Sequence, residues 1–229
     1  MQRSRRVIVP VPVLHRLRLA LKPYVPVSLH RAAKRAVLST VALALAGSRV
    51  ECACCGRSYR RFLRYPALFC PGCSSYERHR FLCLVLDARP ELLAGRRLLH
   101  VGPEPCIRRR LERVDLSGYL SIDLDPSRAM RAMDVTMLDL EDGSFDAAIC
   151  SHVLEEVADR DQALAELRRV LRPGGLALLG TTVPAQEELE ERLSRAGFQV
   201  EALTARELGS DSVARYGLIA DERLYLARV

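Results

Sequence analysis

From residue 97 onward, short apolar segments of the chain alternate with amphipathic segments of helical period. We interpret the apolar segments as strands, namely Leu98–Val101, Tyr119–Leu124, Phe145–Cys150, Leu176–Gly180, Phe198–Leu203 and Arg223–Val229. The clearest helix covers Asp161–Leu171, where Leu164, Leu167 and Leu171 fall on one face. Strands that are separated by helices predict an α/β fold with a mainly parallel sheet covered on both faces.

The sequence before residue 91 divides into two shorter parts of different composition. Residues 1–50 contain ten basic residues and no acidic one, and we interpret them as a basic N-terminal arm with a helix over Ser28–Ala46. Residues 51–90 contain a cysteine-rich module and a connecting helix over Tyr76–Leu86. Residues 91–229 then form the α/β domain, so we expect one larger domain with two small additions.

Two Cys-x-x-Cys pairs in the module have the spacing of a metal site. The pairs are Cys52 with Cys55 and Cys70 with Cys73, and fourteen residues separate them. Each pair can hold one side of a tetrahedral ion, and four thiolates form a closed site that suits structural zinc. The alternative is a reduced thiol cluster that binds no metal. Cys54 is a spare thiol that can replace a neighbour.

The net charge of +7 comes entirely from the N-terminal arm. Such an arm can bind an anionic membrane surface, a polyanion or an acidic substrate, and a solvated tail is the alternative. The longest apolar run, residues 36–47, is shorter than the roughly 20 residues of a spanning helix, so we predict no transmembrane segment. We expect a cytoplasmic protein and leave open an attachment at the periphery of a membrane.

Small and acidic residues follow the predicted strands, where ligands of open α/β sheets bind. They are Gly102, Glu104, Asp123, Asp134, Val135 and Ser151. Gly102 allows a cofactor to approach the backbone closely. Asp123 can accept hydrogen bonds from both hydroxyls of a ribose, and Asp134 can accept one from an adenine amino group. We therefore predict that these residues bind a nucleoside-containing cofactor.

The order and spacing of these residues resemble class I S-adenosylmethionine-dependent methyltransferases of the type 11 group. The matching motifs are Tyr119-x-x-x-Asp123-x-x-Pro126, Asp134-x-x-x-Leu138, Ser144-Phe145-Asp146, His152-Val153-Leu154-Glu155 and Arg169-Val170-Leu171-Arg172-Pro173-Gly174-Gly175. The resemblance covers Leu98–Val229, and Cys70–Arg80 is similar to a bacterial subgroup with two cysteine pairs before the domain. It implies a Rossmann-like seven-stranded methyltransferase sandwich, a small zinc-ribbon-like module and S-adenosylmethionine as cofactor.

Two residues depart from the methyltransferase pattern. Glu104 stands where the family has a glycine, and its carboxylate repels the carboxylate of the cofactor unless it pairs with the methionine ammonium. Glu156 replaces the final histidine of the His-Val-Leu-Glu-His motif. We predict His152 as the catalytic base and Glu156 as the carboxylate that orients it. The alternative is that His152 only hydrogen-bonds a backbone carbonyl near the methionine moiety.

Three polar residues, Arg78, His79 and Arg80, open the helix after the module, and we predict that they bind the substrate. The alternative is a polar helix face. Because the module is the best available cover for the cleft, we expect a small acceptor, such as a sugar-bearing intermediate or a specialised metabolite, methylated on oxygen. An RNA methyltransferase with the module as an RNA-binding lid, and a non-catalytic scaffold, are the other hypotheses.

Overall fold

The computed structural model describes residues 27–64, 67–181 and 186–229 of the chain. Most of the basic arm, residues 1–26, lies outside the described residues. The chain divides into two compact units, Met1–Ala44 and Leu45–Val229. The described part of the first unit is helix α1, Val27–Ala44. Within the described ranges, no helix combines the length and the apolar character that crossing a bilayer requires.

The second unit begins with a small module of short strands. They are β1, Ala46–Glu51; β2, Ser58–Tyr59; β3, Leu63–Arg64; and β4, Leu68–Phe69. β1 pairs with β2 and β3 pairs with β4, both antiparallel. One cysteine pair lies in the turn after β1 and the other in the turn after β4. Helix α2, Glu77–Ala88, follows and buries its apolar face, which includes Phe81 and Leu82.

A seven-stranded sheet forms the centre of the second unit. In chain order its strands are β5, Arg97–Val101; β6, Gly118–Asp123; β7, Arg131–Ala132; β8, Phe145–Ser151; β9, Leu171–Gly180; β10, Gln199–Thr204; and β11, Arg223–Arg228. Their spatial order is β10-β11-β9-β8-β5-β6-β7. β11 is antiparallel to both of its neighbours, and the other pairs are parallel. The predicted α/β, Rossmann-like fold is confirmed.

The described helices of this unit are α2; α3, Pro105–Leu111; α4, Arg160–Val170; α5, Gln186–Arg195; and α6, Ser210–Tyr216. The sequence of α4 explains its helical conformation. The Asp159 side chain caps it by accepting from the backbone N–H of Gln162 at 2.9 Å. Leu164 and Leu167 are fully buried, and each such leucine contributes about 1.5–3 kcal/mol relative to exposure.

The strand after α4 differs from the sequence-based prediction. We predict a strand from Leu176, whereas β9 begins at Leu171 and runs through Pro173-Gly174-Gly175. Its pairing with β8 shifts register between Phe145 and Ala147, so the proline and glycines lie at an irregularity of the sheet.

The connections of β5 determine where a ligand can bind. The chain runs from β5 to β6 on one side, and β8 later pairs with β5 on the other side. The strand order therefore reverses at β5, and a crevice opens at the carboxyl ends of β5 and β8. The segment between β6 and β8 contains only the short strand β7 rather than a full helix, which leaves this crevice open.

Candidate functional site

A cleft of about 230 Å³ lies at the carboxyl ends of β5, β6 and β8. Its lining includes every residue predicted to bind the cofactor, that is Gly102, Glu104, Asp123, Asp134, Val135 and Ser151. His152, Glu156 and Arg78 line the same cleft. The fold thus brings together residues from separate strands, and their individual roles in binding stay predictions.

Gly102 forms the part of the cleft where the backbone turns after β5. Its φ angle is +62°, in the left-handed region that favours glycine. A Cβ atom at this position would lie 2.6 Å from Cγ2 of Val153, too close for any side chain. Its N–H donates to the carbonyl oxygen of Ile122 at 2.9 Å, which fixes the turn against β6. Only glycine fits here, and it leaves the backbone accessible from the cleft.

Asp123 and Asp134 are each held by the backbone that follows them. Oδ1 of Asp123 accepts from the N–H of Asp125 at 2.9 Å, and Oδ2 lies 3.5 Å from the guanidinium of Arg128. Oδ1 of Asp134 accepts from the N–H and the hydroxyl of Thr136 at 2.9 and 2.8 Å. These local turns fix the direction of both carboxylates, which therefore need little reordering when a ligand binds.

Glu104 lies between two histidines at the floor of the cleft. One carboxylate oxygen hydrogen-bonds Nε2 of His100 at 3.3 Å, and the other lies 3.3 Å from Nε2 of His79. The second ring nitrogen of each histidine also has a partner. Nδ1 of His79 accepts from the N–H of Tyr76 at 3.1 Å, and Nδ1 of His100 lies 3.1 Å from the hydroxyl of Tyr119. Nδ1 of His79 is therefore an acceptor, and its Nε2 lies within ion-pair distance of Glu104.

These contacts keep Glu104 ionised. Burial by itself would raise the pKa of the Glu104 carboxyl, but His100 and His79 outweigh it and lower the pKa to about 2. Burial by itself would lower the pKa of His79, but Cys106 and Glu104 outweigh it and raise the pKa to about 9. The Tyr76 N–H donates to Nδ1 and opposes a proton on that atom, and on this geometry we assign His79 as neutral. A negative charge thus remains in the cleft, 15% exposed, and it favours a cationic ligand group.

His152 occupies a strained position directly after β8. Its φ angle is +57°, which is rare for a residue with a side chain and is often found at functional sites. Nδ1 lies 3.1 Å from Glu155 and Nε2 lies 3.4 Å from Glu222. Burial lowers the pKa of His152, but the contacts with both glutamates outweigh it, so the pKa is raised. The surroundings therefore stabilise the imidazolium.

The partners of His152 differ from the one expected from sequence. We predict that Glu156 orients the imidazole on a helical turn, but residues 154–156 form a non-helical turn, and Glu155 makes the contact instead. Glu156 is exposed at the cleft. Glu155 belongs to the His-Val-Leu-Glu motif, so the sequence contained a signal for it. Glu222 precedes β11, and only the sheet topology brings it to His152.

The structure places the three consecutive residues Arg78, His79 and Arg80 in different surroundings. Arg78 lines the cleft, stacks over the Tyr76 ring at 4.8 Å and, among the described residues, has no carboxylate within ion-pair distance. His79 is buried against Glu104. Arg80 is fully buried, and it donates to the backbone carbonyls of Leu68, Ser75, Tyr216 and Gly217. Arg80 therefore holds the module to the loop after α6, and Arg78 alone is available to a substrate.

The fold and part of the sequence match known proteins. An S-adenosylmethionine-dependent methyltransferase from Archaeoglobus fulgidus superposes with a TM-score of 0.51 at 11% identity, over 66% of this chain and 94% of that one. A family model described as a methyltransferase domain matches residues 106–179. Residues 106–179 thus match the methyltransferase-domain family, and the sheet from β5 to β11 has the class I methyltransferase fold. S-adenosylmethionine is the cofactor of this family.

Curated proteins match part of the chain. An uncharacterized methyltransferase of Mycobacterium ulcerans is 37% identical over 114 residues, which cover 44% of this chain and 44% of that protein. The 27-O-demethylrifamycin SV methyltransferase of Amycolatopsis mediterranei is 30% identical over 142 residues, which cover 54% and 49%. The chain spans about half the length of these two curated relatives.

The cysteine pairs that precede the methyltransferase domain form one cluster. The sulfur atoms of Cys52, Cys55, Cys70 and Cys73 all lie within 4.8 Å of one another. The distance from Cys52 to Cys73 is 3.6 Å and that from Cys55 to Cys70 is 3.8 Å. A tetrahedral zinc ion with Zn–S bonds of about 2.3 Å requires about 3.8 Å between sulfurs. The cluster is therefore consistent with structural zinc.

A second set of thiols borders this cluster, since Cys54 also interacts with Cys52. Cys54 is buried, and its sulfur lies 3.2 Å from that of Cys83 on α2. The Ser75 hydroxyl lies 3.1 Å from the Cys52 sulfur and 3.2 Å from the Cys73 sulfur, and it can stabilise thiolates in the cluster. Adjacent cysteines in the same turn thus face different neighbours, because Cys55 faces the cluster and Cys54 faces α2.

Proposed function

We propose that the chain transfers a methyl group from S-adenosylmethionine to an oxygen atom of a small acceptor. The observation that carries this proposal is the shared cleft, which collects Gly102, Asp123 and Asp134 from three separate connections of the sheet. A nucleoside cofactor needs a close backbone approach, an acceptor for its ribose hydroxyls and an acceptor for its base.

Each carboxylate of the cleft suits one part of the cofactor. Asp123 binds the ribose hydroxyls through two charge-assisted hydrogen bonds, each worth about 1.5–3 kcal/mol. Asp134 accepts from the adenine amino group. The ionised Glu104 binds the methionine ammonium, which resolves the repulsion that its carboxylate would otherwise cause.

The other wall of the cleft suits the acceptor. The bound cofactor supplies an electrophilic methyl group, and the protein must align the acceptor oxygen with it and exclude water. Arg78 offers a guanidinium that pairs with no carboxylate of the described residues and suits an anionic or hydroxylated group of the acceptor. His152, once neutral, accepts the hydroxyl proton. The Amycolatopsis relative, whose name refers to an O-demethylated rifamycin, supports a small acceptor and methylation on oxygen.

The test is a transfer of labelled methyl groups from S-adenosylmethionine into fractionated cell metabolites and RNA. We expect label in a small-molecule fraction with the native protein and none with Asp123→Ala. Label in RNA would support the RNA-methyltransferase hypothesis instead. Cofactor binding without any transfer would support a scaffold, and a chain that does not bind the cofactor would overturn the proposal.

A further inference from the structure

The cysteine module contacts the floor of the cofactor cleft through His79. α2 begins at Glu77, just after the second cysteine pair, so His79 lies in its first turn. The side chain is 5% exposed, and its Nε2 lies 3.3 Å from Glu104. His79 therefore joins two parts of the chain whose chemistry differs, a thiolate cluster and a nucleotide cleft.

The hydrogen bonds of His79 fix the direction of its ring. The N–H of Tyr76 donates to Nδ1 at 3.1 Å, which anchors the ring to the backbone at the start of α2. Nε2 of His79 then lies 3.3 Å from one carboxylate oxygen of Glu104, while Nε2 of His100 hydrogen-bonds the other. One support of Glu104 thus comes from β5 and the other from the first turn of α2, directly after the second cysteine pair.

We propose that His79 is a positioning residue through which the cysteine module holds Glu104 in place for the cofactor ammonium. The inference rests on the cofactor role of Glu104 in the proposed function. It makes the affinity for S-adenosylmethionine depend on the folded state of the module, although the predicted metal ligands are not in the cleft lining. It also gives the module a role besides that of a cover for the cleft.

Several titratable groups face Glu104 from the elements packed around it. They are Arg78 and His79 on α2, His100 on β5, Cys106 on α3, Tyr119 on β6 and Cys150 on β8. Burial raises the pKa of Cys150, which leaves that thiol neutral. Cys54 and His79 lower the pKa of Cys106 to about 5, so Cys106→Ala must keep the native acid profile before a loss of affinity is assigned to Glu104.

Two variants separate the two contacts of the His79 ring. In His79→Asn the side-chain oxygen takes the place of Nδ1 and still accepts from Tyr76, but nothing reaches Glu104. In His79→Gln the side-chain nitrogen takes the place of Nε2 and still donates to Glu104. We expect His79→Asn to bind S-adenosylmethionine about tenfold more weakly in calorimetry, and His79→Gln to stay within about threefold of the native protein. Zinc content per chain should be unchanged in both.

The pH dependence of binding distinguishes positioning from a merely structural effect. The native protein should bind the cofactor equally well from about pH 8 to about pH 5, because Glu104 stays ionised. In His79→Asn one contact is lost, burial raises the pKa of Glu104, and affinity should begin to fall at a higher pH than in the native protein. Equal affinities and equal pH profiles in both variants would overturn the inference.

Metal depletion provides a second test that needs no substitution. Chelated native protein should lose about tenfold in cofactor affinity and acquire the same acid sensitivity as His79→Asn. If His79→Asn does not fold, this comparison decides the question, and unchanged affinity after chelation would contradict the coupling. A native protein that never binds S-adenosylmethionine would instead refute the proposed function itself.

Discussion

Gly102 is the residue of the cleft with the least room for a side chain. Ala at this position would keep a positive φ angle of +62° and place its Cβ 2.6 Å from Val153. Gly174 is the matched control, since its φ angle is +74° but nothing lies within 4 Å of a Cβ there. The two positions therefore share the backbone strain, and only Gly102 adds a clash at the cleft.

We expect Gly174→Ala to lower the free energy of unfolding by about 1–2 kcal/mol and to leave cofactor affinity unchanged. Gly102→Ala should lose more stability and also weaken S-adenosylmethionine binding by at least about tenfold, because the turn must shift into the cleft. Chemical denaturation and calorimetry on both variants check this. Equal cofactor affinities in the two variants would show that the Gly102 turn does not contact the cofactor.

His152 gives a prediction for the pH dependence of methyl transfer. Only the neutral imidazole can accept a proton, and Glu155 and Glu222 raise its pKa above the ordinary value of about 6.5. The rate of methyl transfer should therefore be low at pH values below this raised pKa and should rise as the pH increases through it. In Glu222→Gln one carboxylate that stabilises the cation is gone, so the rise should move to lower pH.

The measurement is the turnover number as a function of pH, once an acceptor is identified. Glu201→Gln serves as the control, because Glu201 is exposed, pairs with Arg89 and should leave the profile in place. If Glu222→Gln has the native profile, His152 does not act as the base. If His152→Ala weakens cofactor binding without changing turnover, His152 belongs to the binding site.

At the scale of helices and strands, periodicity predicted most of the fold. The alternation of strands and helices gives α4, β5, β6 and β8 within one or two residues, because α4 has an apolar face of period 3.6 and the strands are continuous apolar runs. It does not give the start of β9, since Pro173 and Gly174 usually end a strand and here lie at an irregularity. The position of β11 inside the sheet also has no local signal.

The candidate site was predictable where one strand end carries the residue. Asp123 and Gly102 are such cases, since each follows an apolar run. Glu222 was not predictable, because it lies in a loop 70 residues after His152 and reaches it only through the strand order of the sheet. The role of Arg80 was not predictable either, because a guanidinium that binds four backbone carbonyls has no signature in the sequence pattern.

The turn after β1 carries a prediction about the two adjacent cysteines. Cys55→Ala should remove one of four metal ligands, abolish stoichiometric zinc and unfold residues 51–75 before the methyltransferase domain. Cys54→Ala is the control, because the Cys54 sulfur faces Cys83 and zinc should stay at one ion per chain. Elemental analysis measures the metal, and hydrogen exchange measures the local unfolding.

A different result would change the assignment of the ligands. Loss of zinc in Cys54→Ala with retention in Cys55→Ala would mean that Cys54 takes the place of Cys55 in the site. Absence of zinc from the native protein, purified without chelators, would mean that the thiols form a reduced cluster that binds no metal.

At the scale of the whole molecule, the two compact units lead to a prediction about the basic arm. The cleft and the cysteine cluster lie entirely within Leu45–Val229. Deletion of residues 1–26 should therefore leave the affinity for S-adenosylmethionine within about twofold, as calorimetry can measure. The same deletion should reduce binding to vesicles that contain anionic lipid, and added salt should reduce binding of the full chain. If the shortened chain does not fold, the arm packs as structure and the surface interpretation is wrong.

The position of β11 between β9 and β10 has a consequence for how the domain folds during its synthesis on the ribosome. Residues 199–204 emerge before residues 223–228, yet in the described sheet β10 pairs with β11 alone. Until β11 is synthesised, β9 presents a row of unpaired backbone groups to other chains. Glu222 is also missing from beside His152 during this interval. The nascent domain is thus exposed to aggregation until β11 has emerged and paired with β9.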